Sequence, residues 1–197
     1  MQFQRPGGSW QTLSLTNIPL HSRRCPITSE PNVTFGGVET GSCPRLTVTR
    51  TTQTLSDPLN NTSNPKAIPG ATIVNITVVT NSGPGPVDAN SFVVTEAIPP
   101  DAALRVVDFD GASAGPVQFM SGVPSSGLTY TFVALGNAGD DLAFSNNNGA
   151  TFNYTPVPDA NGADASVTHI RINPKNAFAG NGGGNKTATF SFKTVVR

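Results

Sequence analysis

Residues 71–80 read Ala-Thr-Ile-Val-Asn-Ile-Thr-Val-Val-Thr. The side-chain period of two sets Thr72, Val74, Ile76 and Val78 on one face and Ile73, Asn75, Thr77 and Val79 on the other. β-Branched residues dominate the run, and they fit a pleated surface better than a helix. It is a strand, and its neighbours carry the same signature. Residues 46–49 (Leu-Thr-Val-Thr) alternate. In residues 91–98, Phe92, Val94 and Ile98 face inward, with Glu96 as the exception. Shorter strand candidates follow at 104–107, 117–120, 128–134, 142–144, 151–155 and 167–172. The last, at 187–196, places Ala188, Phe190, Phe192, Thr194 and Val196 on one face.

Turn clusters separate these runs: Asn60 to Asn64, Gly83-Pro84-Gly85-Pro86, Asn146-Asn147-Asn148-Gly149 and Asn181 to Asn185. No window shows a convincing 3.6-residue period. Many short strands with turn punctuation predict an all-β protein, an antiparallel sandwich or barrel rather than βαβ units. Composition agrees. The 197 residues include 23 Thr, 18 Asn and 16 Ser, with only 4 Lys and 3 Glu, a poor inventory for helices. Twelve basic residues balance 12 acidic ones, and no basic block stands out. Nucleic acid is therefore not the expected partner. No apolar run approaches the roughly 20 residues of a membrane-spanning helix.

Residues 1–44 differ from the rest and are expected to form an N-terminal extended arm or partial domain, with the β-sandwich over 45–197. Within the arm, Thr12-Leu13-Ser14-Leu15-Thr16 alternates like a short strand, and Trp10, the only tryptophan, precedes it. The two cysteines, Cys25 and Cys43, are far from metal-site spacing. A disulfide is favoured over two free thiols, and it would imply an oxidising compartment. The N-terminus has no apolar signal core, so an exported protein implies a removed signal or a segment of something longer.

Residues 57–71 (Asp-Pro-Leu-Asn-Asn-Thr-Ser-Asn-Pro-Lys-Ala-Ile-Pro-Gly-Ala), with Thr80-Asn81-Ser82-Gly83 after the strand, resemble the bacterial surface "conserved repeat" domain, domain of unknown function eleven. Val94-Thr95-Glu96-Ala97-Ile98-Pro99 is similar to that family's second strand, with Glu96 at its acidic place. The resemblance covers about residues 46 to 110. It implies an immunoglobulin-like antiparallel sandwich in an exported or wall-associated structural protein, without catalytic residues. Residues 150–164 bear a weaker likeness to the ending of bacterial cadherin-like repeats, at Tyr154, Thr155, Pro156, Asn161, Gly162 and Asp164.

Chemistry-bearing motifs are sparse. Gly111-Ala112-Ser113-Ala114-Gly115 fits the nucleophile elbow, but Pro116 follows it and no helix pattern exists. The histidines, His21 and His169, lie in the arm and in mid-strand. Gly180 to Thr187 falls one glycine short of a phosphate loop and precedes a strand. Asp159, Asn161 and Asp164 are the best calcium candidates, although Asx-turn chemistry explains the same pattern without an ion.

These readings predict a non-enzymatic, extracellular or cell-surface bacterial structural protein that needs no cofactor, calcium being the one candidate ion. Copies of itself are the expected partner. Joined by β-strand addition through the arm (Trp10, Leu13, Leu15), they would build a fibre or filament. The alternative is an adhesive or carbohydrate-binding module of a larger exported protein, with a glycan as partner. A hydrolase built on Ser113 is the third class.

Overall fold

The computed structural model describes residues 43–111 and 115–197. Nine strands and no helix lie among them: β1 (Leu46–Ser56), β2 (Thr72–Asn81), β3 (Val94–Ala97), β4 (Ala102–Arg105), β5 (Val117–Ser121), β6 (Leu142–Ser145), β7 (Ala163–Asp164), β8 (His169–Ile172) and β9 (Lys186–Val196). Six form one sheet in the order β1-β2-β9-β4-β7, with β5 also paired to β9. The other three form a second sheet, β3-β8-β6, and every pairing is antiparallel. The protein is an immunoglobulin-like antiparallel β-sandwich. Trp10, Leu13, Leu15 and Cys25 lie outside the described residues, so the arm and the Cys25–Cys43 pairing remain expectations from the sequence.

β9 organises the larger sheet. On one side it pairs with β2 over ten residues, from Thr72↔Val195 to Asn81↔Lys186. On the other it pairs with β5 at Ala188 to Phe192 and with β4 at Thr194 to Val196. As the alternation predicts, Ala188, Phe190, Phe192 and Thr194 are buried on one face. Phe190 stacks near Phe92 and Phe119, and Phe178 meets Phe92 edge-on at 5.2 Å. These rings join Leu104 and Val117 from the first sheet and Phe144, Ile170 and Ile172 from the second in one core.

Polar side chains seal the ends. Asn81, fully buried, accepts hydrogen bonds from the Arg45 and Gly83 amides and donates to the Gly85 and Ala179 carbonyls. It therefore saturates its own amide and ties the entrance of β1 to the chain beyond β2. A Cβ on Gly83 would lie 2.3 Å from the Cys43 carbonyl oxygen, so only glycine fits that approach.

Besides β1, which runs on to Ser56 where alternation predicts a strand only over 46–49, the structure departs from the sequence expectations in three places. Residues 128–134 and 151–155 form no strands, only the isolated bridges Thr129↔Lys175 and Phe144↔Tyr154. The cause lies in carboxylates. The Thr131 amide donates to Asp141, and those of Val133 and Ala134 donate to Asp140. Donors that a ladder would need are thus taken locally. In the same way the Thr151 amide donates to Asn147. Second, β7 has only two residues, too few to leave a periodic signal. Third, Glu96 is no outward exception: it is buried with its same-face neighbours Phe92, Val94 and Ile98.

The β1–β2 connection is built around Asp57. Its carboxylate accepts from the amides of Leu59, Asn60 and Lys66 and from the Asn60 side chain. The Asn60 amide above all, helped by these others, holds the Asp57 carboxyl far below the ordinary carboxylate range, against the cost of burial. A depressed folded-state pKa contributes stability that is present above about pH 4, the unfolded value, and is lost as pH falls further. Thermal melts between pH 7 and pH 2 should show Asp57→Asn less stable at neutrality and converging on the wild type in acid. Parallel curves at a constant offset would refute this role.

Candidate assembly edge and the clamp beneath it

β1 is an 11-residue edge strand, Leu-Thr-Val-Thr-Arg-Thr-Thr-Gln-Thr-Leu-Ser. One edge pairs with β2, and the other has no partner among the described residues. Its first eight residues are exposed on both faces, with Leu46 42% and Val48 60% accessible. Register explains the exposure. Leu46, Val48, Arg50 and Thr52 lie beside Asn81, Val79, Thr77 and Asn75, whose side chains face the second sheet. Those β2 residues are covered, whereas β1 is not, so β1 overhangs the smaller sheet.

Open edges usually carry protection: short length, charge, proline or a covering loop. The edges of β7, β6 and β3 have it. β7 is two residues long, β6 has a bridge to Tyr154, and β3 runs into Pro99-Pro100 after four residues. In β1 a register shift between Thr54 and Ser56 marks only the far end. Its single charge, Arg50, turns inward.

Arg50 Nη1 lies 3.3 Å from Glu96 Oε2, and Nη2 donates to Asn75 Oδ1 at 3.4 Å. The Thr77 hydroxyl donates to Glu96 Oε1 at 2.6 Å, and Asn75 Nδ2 donates to the Thr194 hydroxyl at 3.2 Å. A polar clamp therefore links β1, β2 and β9 to β3 across the interface between sheets. It fastens β1 to the second sheet, and it uses the only glutamate among residues 43–197. The sequence reading marked Glu96 but missed Arg50. A usable signal existed, because Arg50 is the sole charge in β1 and lies opposite Thr77.

The calcium candidates have structural work. Asp159 Oδ1 accepts from the Asn161 and Ala163 amides, the Asx turn that closes onto β7. Asp164 accepts from the Tyr154 hydroxyl and the Val157 and Ser166 amides. Burial alone would raise the Asp164 carboxyl, but these donors outweigh it and leave the group lowered. The same bond and partial burial raise the Tyr154 phenol. No group of three or more His, Cys, Asp or Glu that could hold a metal occurs among the described residues.

The remaining candidates are scattered. Ser113 lies outside the described residues, and His169 sits half-buried in β8 over Gly149. Lys186 folds back to donate to the Gly182 carbonyl at 2.7 Å, and a strand follows it. No helix of the described residues is long and apolar enough to cross a membrane. Comparison with protein-family models, curated proteins and solved structures found no match.

The clamp can be tested by a double-mutant cycle. Arg50→Ala leaves a shielded carboxylate without its counter-charge and should cost about 2 kcal/mol in urea unfolding, reduced from the cost of a fully buried pair because Arg50 is partly exposed. The same change in an Glu96→Gln background should cost clearly less. Equal costs in both backgrounds would show that the pair is not coupled.

Proposed function

We propose that this protein is a structural subunit of an extracellular or cell-surface assembly, built from copies of itself by strand addition at β1. The observation that carries the reading is the long, thinly charged edge of β1, exposed on both faces and, among the described residues, left without the protection given to the edges of β3, β6 and β7. The occupant we assign is the segment Trp10 to Thr16 of a second copy. Forty-two residues precede the described part of the chain, and within them Thr12-Leu13-Ser14-Leu15-Thr16 has the alternation of a strand. Leu13 and Leu15 share one face, matching Leu46 and Val48 on the overhang. Backbone bonding supplies the affinity, and these apolar contacts set the register.

Donation from each copy to the next is head-to-tail, which yields rings when the rotation closes and filaments when it does not. A surface location is supported by the low charge, by the expected Cys25–Cys43 disulfide and by the resemblance to bacterial surface repeats. The reading needs no catalytic group, metal or cofactor.

Sedimentation velocity over a range of concentrations tests it on the full chain. The wild type should form species well above its 20.4 kDa mass. Deleting residues 1–20, or placing lysine at an exposed edge position with Val48→Lys, should return it to monomer. A wild type that stays monomeric throughout, or variants that assemble equally well, would overturn the proposal. A monomer in which the arm covers β1 of its own chain would count among the overturning results.

A further inference from the structure

Three Asn-Gly pairs lie among the described residues: Asn148-Gly149, Asn161-Gly162 and Asn181-Gly182. Glycine has no side chain to crowd the residue before it, so its backbone nitrogen comes within reach of the asparagine side-chain carbonyl. The fold treats the three pairs differently. The Gly149 amide donates to the Ser145 hydroxyl at 3.0 Å, and the Gly162 amide donates to the Asp159 carbonyl at 3.0 Å. A nitrogen whose proton is engaged gives it up less readily. The exposed Gly182 amide donates to no described residue, and a Cβ on Gly182 would meet nothing within 4 Å.

We propose that Asn181 is a self-modifying site, at which the folded chain converts this asparagine to aspartate and isoaspartate with water as the only co-reactant. The Gly182 nitrogen, after losing its proton to solvent, bonds to Asn181 Cγ. The Cγ–Nδ2 bond breaks, and the nitrogen leaves as ammonia with a proton from water. The five-membered imide then takes up one water at either carbonyl, giving aspartate or its isomer. No oxidant or reductant is involved. Lys186 Nζ, bonded to the Gly182 carbonyl at 2.7 Å, sets a positive charge beside the nitrogen and favours its deprotonated form.

Asn181 opens a turn in which the Gly184 amide donates to its carbonyl at 2.7 Å, with Gly183 at φ +78°. Its own amide donates to the Gly83 carbonyl at 2.8 Å, and Nδ2 donates to the Ser82 carbonyl at 2.7 Å. The side chain is thus anchored only through the nitrogen that departs, and turning Cγ toward Gly182 gives up a single hydrogen bond. Conversion matters at this place. Aspartate has no Nδ2 donor and sets a carboxylate oxygen against the Ser82 carbonyl, while isoaspartate lengthens the backbone within the turn. The Ser82 amide in turn donates to the Arg45 carbonyl at 2.9 Å, where β1 begins. The reaction therefore loosens, irreversibly, the tie between the β8–β9 connection and the root of β1. It also adds one negative charge to a chain whose net charge is zero. None of this requires copies to assemble.

The test is peptide mapping by mass spectrometry on the full chain incubated for weeks in neutral buffer, with electron-transfer fragmentation to separate aspartate from isoaspartate. Conversion at Asn181 should run several times faster than at Asn148 and Asn161, and faster in mildly alkaline than in mildly acidic buffer. In concentrated urea, where the fold is gone, the three pairs should convert at similar rates. Gly182→Ala, whose methyl group has room, should slow conversion of Asn181 severalfold and leave the melting temperature unchanged. Asn181→Asp should speed hydrogen exchange of the amides at positions 82 and 181. Comparable rates at the three pairs in the folded chain, or a rate at Asn181 indifferent to Gly182→Ala, would overturn the assignment.

Discussion

The fold depends on one ladder, the ten-residue antiparallel pairing of β2 with β9. The two strands are more than a hundred residues apart in sequence, so closing this contact carries a large loop-entropy cost. Burial repays it. Phe190 and Phe192 are fully shielded, and each contributes roughly 1.5–3 kcal/mol by leaving water. Because β5 and β4 share the opposite side of β9, the ladder also sets their positions. β1 takes its register from β2, so the exposed edge inherits its placement from the same pairing.

Inside this frame the sandwich has an unusual division of labour. β9 brings rings to the inner face, while β2 brings Asn75, Thr77 and Asn81 at the paired positions. Buried polar groups cost free energy unless bonded, and here each has partners. The arrangement trades some hydrophobic burial for specificity. A shifted β2 would separate Thr77 from Glu96 and Asn81 from the Gly85 and Ala179 carbonyls. The polar ladder therefore disfavours register slip in a strand whose two faces are otherwise similarly apolar.

Much of the architecture was legible in the sequence. Alternation in 71–80 and 187–196 marks the two long strands, and the inward face of the latter is as expected. The failures have a common origin. Residues 131–134 look like a strand, yet Asp140 and Asp141, several positions downstream, take their amides. Side-chain capture of backbone donors at that separation leaves no periodic trace. The inward turn of Glu96 was equally hidden, because a buried carboxylate is explained only by Arg50 across the sheet.

Low charge takes on a specific meaning in this setting. The charge in β1 is turned inward, and its edge shows threonine and backbone to the surroundings. An edge of this kind is either a liability or a joint, and the protection of the β3, β6 and β7 edges argues for a joint. Backbone amide hydrogen exchange of β1, followed as a function of protein concentration, tests this most directly. If the edge is a joint, its slowly protected amides should increase in number as concentration rises, while β9 stays protected throughout. Fast exchange along the outer edge of β1 at every concentration would contradict the account.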